Sequence, residues 1–244
     1  VLPLLWYGRV RVHALGDSVK WFAVVGNAVE HYRPFAEIPW HNASLNLPGL
    51  EFINFQQAFD LLVHVGVYAL LHAFGGNDPQ VAYEWVSIIS GGLYLPVLWS
   101  LARRLSVSPA ERFAVFAFFL SLGTLQLFCG YGESYTLVTL LCAIYLTFAI
   151  DALRGSRPLW QAGAILGLAG ATHMLALSLV PSLLLVAWYC PWGETTLRRW
   201  QIYLPVVAIG MLASLFAYLG FYQSLHLPLF TPDHPGRYAL LSMR

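Results

Sequence analysis

Glu133 is the residue whose setting in this sequence most needs a chemical explanation. It lies in the segment FCGYGESYTLVTL (128–140), between two long apolar runs. A carboxylate can accept a proton from a weakly nucleophilic hydroxyl group or help to hold a divalent cation. Tyr131 and Tyr135 on either side can shield the carboxylate and form hydrogen bonds with it. These neighbours favour a functional Glu133, and the alternative is an ordinary loop acid at the water interface.

Other polar residues with chemical potential are scattered along the chain. His173 lies in the short segment GATHM, where we expect first of all a satisfied polar residue at a turn. The turn-rich segment PDHPGR (232–237) contributes three further candidates, which are Asp233, His234 and Arg237. Asp60 and His64 have a metal-compatible i, i+4 spacing. For that pair a solvated helix face is the favoured interpretation.

The composition places these residues in an integral membrane protein. Of 244 residues, 58% are hydrophobic and only 10% are charged, and the mean hydropathy is +0.63. A soluble domain has about 25% charged residues. The net charge of +1 gives no basic surface for nucleic acid, and the three cysteines form no CxxC pair.

Long uncharged runs predict about six membrane spans, since one span needs roughly 20 apolar residues. Pro158–Gly193 would form a helix of about 54 Å, too long for one crossing, so it is predicted to be a hairpin that turns near His173. The remaining runs each predict one span: Trp85–Ala102, Phe113–Gly132, Ser134–Ile150 and Trp200–Tyr222.

Basic residues orient these spans, because they accumulate on the cytoplasmic side. They form three clusters, made of Arg103, Arg104 and Arg112, then Arg154 and Arg157, then Arg198 and Arg199. If all three clusters are cytoplasmic, the loops with Glu133 and His173 face the other side. The final loop, HLPLFTPDHPGRY, is predicted to lie there too.

The segment Gln56–Phe74 is open to two interpretations. Asp60, His64, Tyr68 and His72 recur every four residues and therefore share one helical face. We expect an amphipathic helix near the interface, and the competing interpretation is a seventh span whose histidine stripe faces a bundle.

Several segments together resemble the GT-C fold glycosyltransferases that use polyprenyl-phosphate sugars, the protein-mannosyltransferase-like family. They are LGDS (15–18), FDLLVHVGVYALLHAFGG (59–76), AYEWVSIISGGLYLPVLWSLARRL (82–105), LQLFCGYGESYTL (125–137) and PLWQAGAILGLAGATHMLALSLVPSLLL (158–185). The similarity lies in layout and short motifs over most of the chain. It differs from the family at Ser18, where an acid is common, and at NFQQAF, where a His-Pro-Pro or Lys-Pro-Pro motif is usual.

The resemblance implies specific roles. Asp17 matches the first-loop acid that serves as catalytic base or metal-binding residue, and Glu133 matches the second acidic position. A divalent ion, Mg²⁺ or Mn²⁺, held by these two acids would stabilise the departing phosphate. Alternatively cationic side chains do so, and the candidate phosphate contacts are Lys20, Arg33, His173 and Arg237.

The sequence thus predicts an all-α, polytopic transmembrane bundle of about six spans with an interfacial juxtamembrane helix. Residues 1–80 would hold the end of a first span and an extracytoplasmic loop, 81–222 the bundle, and 223–244 a truncated extracytoplasmic loop. The predicted activity is sugar transfer from a polyprenyl-phosphate donor to an acceptor hydroxyl or amine outside a bacterial inner membrane. The alternatives are a non-catalytic subunit that packs against partner proteins, and a transporter. Transporters usually place ionisable residues within spans, whereas the charges here lie at span ends.

Overall fold

The fold was examined in a computed structural model, which describes residues 2–7, 9, 21–22, 25–26, 29, 57–129 and 135–190. Within these ranges the secondary structure is entirely helical. Two short 3₁₀ helices cover Thr124–Phe128 and Met174–Leu179. The α-helices are α1 (Leu2–Tyr7), α2 (Ala58–Ala73), α3 (Pro79–Leu105), α4 (Pro109–Ser121), α5 (Tyr135–Leu153), α6 (Leu159–Thr172) and α7 (Val180–Tyr189).

Two of the described helices, α3 and α5, are long and apolar enough to cross a membrane, judged by length and composition. They contain most of the predicted spans Trp85–Ala102 and Ser134–Ile150. The 27 residues of α3 give a length of about 40 Å. Asp78 caps the N-terminus of this helix through a side chain that accepts a hydrogen bond from Gln80 N at 2.9 Å, and Pro79 is in the first turn.

The run Phe113–Gly132 does not form the single continuous helix that its composition predicts. A capping box between Ser108 and Glu111 begins α4, which ends after 13 residues at Ser121. Gly123, with φ 75°, then redirects the chain into the first 3₁₀ helix. Phe128 of this 3₁₀ helix is fully buried in a cluster that includes Tyr94 and Leu140, so the segment packs between α3 and α5.

The hairpin predicted for Pro158–Gly193 is confirmed over the described residues up to 190. Helix α6 ends at Thr172, His173 adopts an extended conformation, and α7 then runs back along α6. The thiol of Cys190 donates a 3.2 Å hydrogen bond to Ala152 O, near the start of α6, so the chain has returned to its starting end. A Cβ on Gly170 would lie 2.6 Å from a terminal methyl of Leu177, so glycine allows the close approach at this turn.

Helix α2 presents its polar stripe to the protein and apolar side chains outward. Asp60, His64 and Tyr68 are buried, and α2 packs on α3 and α6. The opposite side exposes Leu62, Leu70 and Phe74. The interpretation of the Asp60–His64 pair as a solvated helix face was therefore wrong, because this part of the stripe faces the bundle, whereas His72 at its end is exposed.

Candidate functional site

Among the eight predicted site residues, the structure describes His173. The other seven lie outside the described residues, and they are Asp17, Lys20, Arg33, Glu133, Asp233, His234 and Arg237. Their roles remain predictions. The described part of the site is therefore built from His173 and from the side chains that surround it.

His173 lies at the turn of the α6–α7 hairpin, where it is half-buried. Its Nδ1 accepts a 3.1 Å hydrogen bond from Leu175 N. A nitrogen that accepts from a backbone N–H carries no proton, so in the neutral ring the proton is on Nε2. Burial lowers the pKa of His173, and the nearby Asp60 carboxylate opposes this shift. In the neutral ring, Nε2 of His173 is thus the donor atom.

Tyr135, the first described residue after Glu133, lies next to His173. Tyr135 begins α5, two residues after Glu133 in the sequence, and its ring centroid lies 5.2 Å from that of His173. The described flank of the Glu133 loop and the hairpin turn therefore share one end of the bundle, in the arrangement that the charge pattern predicts.

A buried acid–histidine pair lies at the same end. His64 Nδ1 is 2.8 Å from the backbone oxygen of Asp60 and 3.2 Å from its Oδ2. The exposed fraction is only 2% for Asp60 and 1% for His64. Burial raises the pKa of the Asp60 carboxyl group, and the charge and hydrogen bond of His64 counteract part of that rise. The pair is held by protein on all sides.

Helix α3 supplies the aromatic wall of this pair. The Tyr83 ring stacks on the His64 ring with centroids 3.8 Å apart and planes at 19°. The next residue, Glu84, accepts from Gln80 Nε2 at 3.1 Å and pairs with Arg9 Nε at 3.2 Å. The first turns of α3 thereby gather a polar layer between α1 and α2.

The opposite end of the bundle contains a separate ion-pair network. Arg104 of α3 binds Asp151 of α5 in a bidentate manner, with N–O distances of 2.6 and 2.8 Å. Arg157 Nε contacts the same carboxylate at 3.1 Å, and its guanidinium lies 4.3 Å from the Phe148 ring centroid. This network brings the first two basic clusters to one end, as predicted. Every cation in it is matched by packing or pairing, which is typical of a structural role.

Two further features bear on ligand binding. An open apolar groove of about 390 Å³ lies between α1 and α3, lined by Leu2, Pro3, Ile89, Gly92 and Leu93. Within the described ranges, no three His, Cys, Asp or Glu side chains are grouped so that they could hold a metal ion. The predicted metal ligands, Asp17 and Glu133, lie outside those ranges.

Comparisons with protein-family models, with curated proteins and with solved structures found no match to this chain. The functional argument therefore rests on the residues and on the described geometry.

Proposed function

We propose that this chain is a membrane glycosyltransferase of the GT-C type, which moves a sugar from a polyprenyl-phosphate donor to an acceptor hydroxyl or amine. The observation that carries the proposal is the separation of its polar groups. His173 and the flank of the Glu133 loop meet at one end, whereas Arg104, Asp151 and Arg157 close the other. Such an arrangement suits chemistry at one membrane surface.

In the proposed mechanism Asp17 accepts the proton of the acceptor hydroxyl as its oxygen attacks the anomeric carbon of the sugar. The bond from that carbon to the phosphate oxygen breaks, and the electron pair leaves with the lipid phosphate. Glu133 is the second acid, and Mg²⁺ or Mn²⁺ would stabilise the departing phosphate if both acids bind it. Lys20, Arg33, His173 and Arg237 are the proposed phosphate contacts, while Asp233 and His234 contact substrate.

The apolar groove between α1 and α3 fits the donor chemistry. A polyprenyl chain needs an apolar surface within the membrane, and the groove is lined by aliphatic side chains and a glycine. The polar layer around Asp60 and His64 packs against the first turns of α3, on the N-terminal side of Ile89. A lipid phosphate at this end would reach the polar layer while its chain remained in the membrane.

The test is transfer by the full-length protein in liposomes, using undecaprenyl phosphate that carries labelled glucose, mannose or arabinose. Removing a general base costs roughly 10²–10⁴ in rate, so Asp17→Asn should lower transfer at least 100-fold. Asp78→Asn is the matched control, because asparagine caps a helix as well as aspartate does and should leave transfer unchanged. Wild-type transfer by Asp17→Asn would remove the assignment of the base.

A proton-coupled transporter is the second candidate, and the buried Asp60–His64 pair favours it. Buried ionisable pairs in membrane proteins often mark ion or proton pathways. If the chain is a transporter, Asp60→Asn should abolish proton-dependent uptake. The wild-type protein should then show no sugar transfer. Transfer from any of the three sugar donors by the wild-type protein would decide for the enzyme.

A further inference from the structure

Two acceptor atoms in the Asp60–His64 pair are buried without a hydrogen-bond partner. They are Asp60 Oδ1 and His64 Nε2. A buried polar atom left without a partner costs about 1–3 kcal/mol. Both lie on one helix, one turn apart, so the cost is concentrated at a single place in the fold. Such atoms need a physical explanation, and a functional role of the site is one.

The hydrogen bonds of His64 define which chemistry its free nitrogen offers. A backbone carbonyl oxygen only accepts, so the 2.8 Å contact with Asp60 O requires a proton on Nδ1. In the neutral ring Nε2 then carries a lone pair and accepts. Asp60 Oδ2 lies 3.2 Å from Nδ1 and reinforces the same ring orientation.

His173 adds a donor to the two acceptors. Its Nδ1 accepts from Leu175 N, which leaves the proton on Nε2. His173 follows α6, which packs on α2, and its electrostatic coupling to Asp60 agrees with that placement. A hydroxyl group both donates and accepts, so it can satisfy such a mixed set. A metal ion suits the set poorly, because His173 Nε2 is protonated and the described residues include no group of three ligands.

We propose that Asp60 and His64 form a binding site for a sugar hydroxyl group, with His64 Nε2 accepting the hydrogen bond and Asp60 positioning the ring. The inference rests on the proposed glycosyltransferase function and assigns it a sugar-contacting pair. Asp60 and His64 are 2% and 1% exposed, so a bound hydroxyl group would be enclosed by protein. The hydroxyl belongs either to the donor sugar or to the acceptor.

The test is ¹⁵N-histidine NMR of the full chain in nanodiscs, with the His64 signal assigned from His64→Gln. We expect the Nδ1-protonated tautomer and a saturable shift of Nε2 when a sugar ligand is added. Undecaprenyl phosphate-linked glucose, mannose and arabinose test the donor sugar, and methyl glycosides without lipid test the acceptor. Undecaprenyl phosphate without sugar should leave the signal unchanged.

His72 provides a control on the same helix. Its Nδ1 also contacts a backbone oxygen, that of Gly76 at 3.1 Å, but the residue is exposed. Because His64→Gln removes the NMR reporter, the half-saturating ligand concentration of the variants is measured by isothermal titration calorimetry. His64→Gln should raise it roughly tenfold, since one hydrogen bond is lost, whereas His72→Gln should change it less than about twofold. Asp60→Asn keeps the side-chain volume and should raise it about threefold, because the ring is less firmly positioned.

The outcomes separate this inference from the proposed function, because sugar transfer is measured in the same nanodiscs. A shift with any sugar ligand and none with undecaprenyl phosphate supports the site, even if no transfer occurs. Sugar transfer without any ligand-dependent shift of the His64 signal overturns the proposed site but supports the glycosyltransferase function. An equal shift with undecaprenyl phosphate alone also overturns it, as does equal weakening by His64→Gln and His72→Gln.

Discussion

Asp151→Asn is the substitution that should most clearly weaken the described bundle. The Asp151 carboxylate is buried and accepts three hydrogen bonds from arginine, at 2.6, 2.8 and 3.1 Å. These bonds join α3, α5 and the start of α6. The substitution keeps the shape of the side chain and removes its charge, so both arginines lose their anionic partner.

The magnitude follows from burial. Breaking a buried ion pair by removing one partner costs about 3–5 kcal/mol. The side chains of Arg104 and Arg157 are 23% and 41% exposed, so water compensates part of their loss. Asparagine also retains one acceptor oxygen. We therefore expect a loss of about 2–3 kcal/mol in the free energy of unfolding, or roughly 5–10 °C in Tm for a chain of this size.

Unfolding in mixed detergent micelles, followed by far-ultraviolet circular dichroism, measures this loss. Arg104→Gln and the double variant complete a thermodynamic cycle, and the coupling between the two sites should be about 1.5–2 kcal/mol. Arg103→Gln is the control, since it removes an exposed arginine from the same helical turn and should cost under about 0.5 kcal/mol. Additive single effects, or an Asp151→Asn variant as stable as the wild type, would refute the structural role of the network.

The other predictions concern two glycines and a helix cap. Gly91→Ala should destabilise by about 1–3 kcal/mol, because its Cβ would lie 2.5 Å from Phe128 Cβ. At Gly66 nothing lies within 4 Å of the added carbon, so Gly66→Ala should instead stabilise the fold by about 0.5–1 kcal/mol. Equal melting temperatures for the two variants would contradict the packing at Gly91. Backbone hydrogen bonds from Val107 and Ser108 lower the pKa of Glu111 from its usual 4.5. Its stabilising effect is therefore complete above pH 4.5 and lost as the pH falls through the lowered value, so the acid limb of the stability profile should be shallower in Glu111→Gln.

The charge pattern predicted the architecture of the described region well, because it reflects a strong physical constraint. Basic clusters at span ends led to the hairpin around His173, and the Cys190–Ala152 contact confirms that hairpin. The same pattern placed Arg104 and Arg157 at one end, where both bind Asp151. The count of about six spans stays a prediction, since two described helices meet the criteria for a span.

The sequence-based predictions failed where composition alone was used to judge whether a helix is continuous or whether a helix face is exposed to solvent. The uncharged run after Arg112 gave no sign of the break at Gly123, because glycine is common in membrane helices. The Asp60–His64 stripe was correctly assigned to one face, but that face was taken to be solvated. The opposite face, with Leu62, Leu70 and Phe74, was the available signal. When lipid surrounds a helical bundle, the apolar face of a helix contacts the lipid, and the polar stripe on its opposite face points into the protein.

The position of the candidate site could be predicted only in part. His173 and the flank of the Glu133 loop were expected on one side, and the Tyr135–His173 contact places their described parts together. The stacking of Tyr83 on His64 could not be predicted, because it depends on how α2 and α3 cross rather than on a pattern within either helix.

Cysteine labelling at the two ends of α3 tests the central claim most directly. Asn77 and Val107 are exposed residues just before and just after this helix. Asn77→Cys and Val107→Cys are placed separately in the full-length protein after replacement of Cys129, Cys142 and Cys190 by serine. In intact cells, a membrane-impermeant maleimide should label Asn77→Cys, and it should label Val107→Cys only after permeabilisation. Labelling of both from outside, or the reverse pattern, would contradict a site on the extracytoplasmic face.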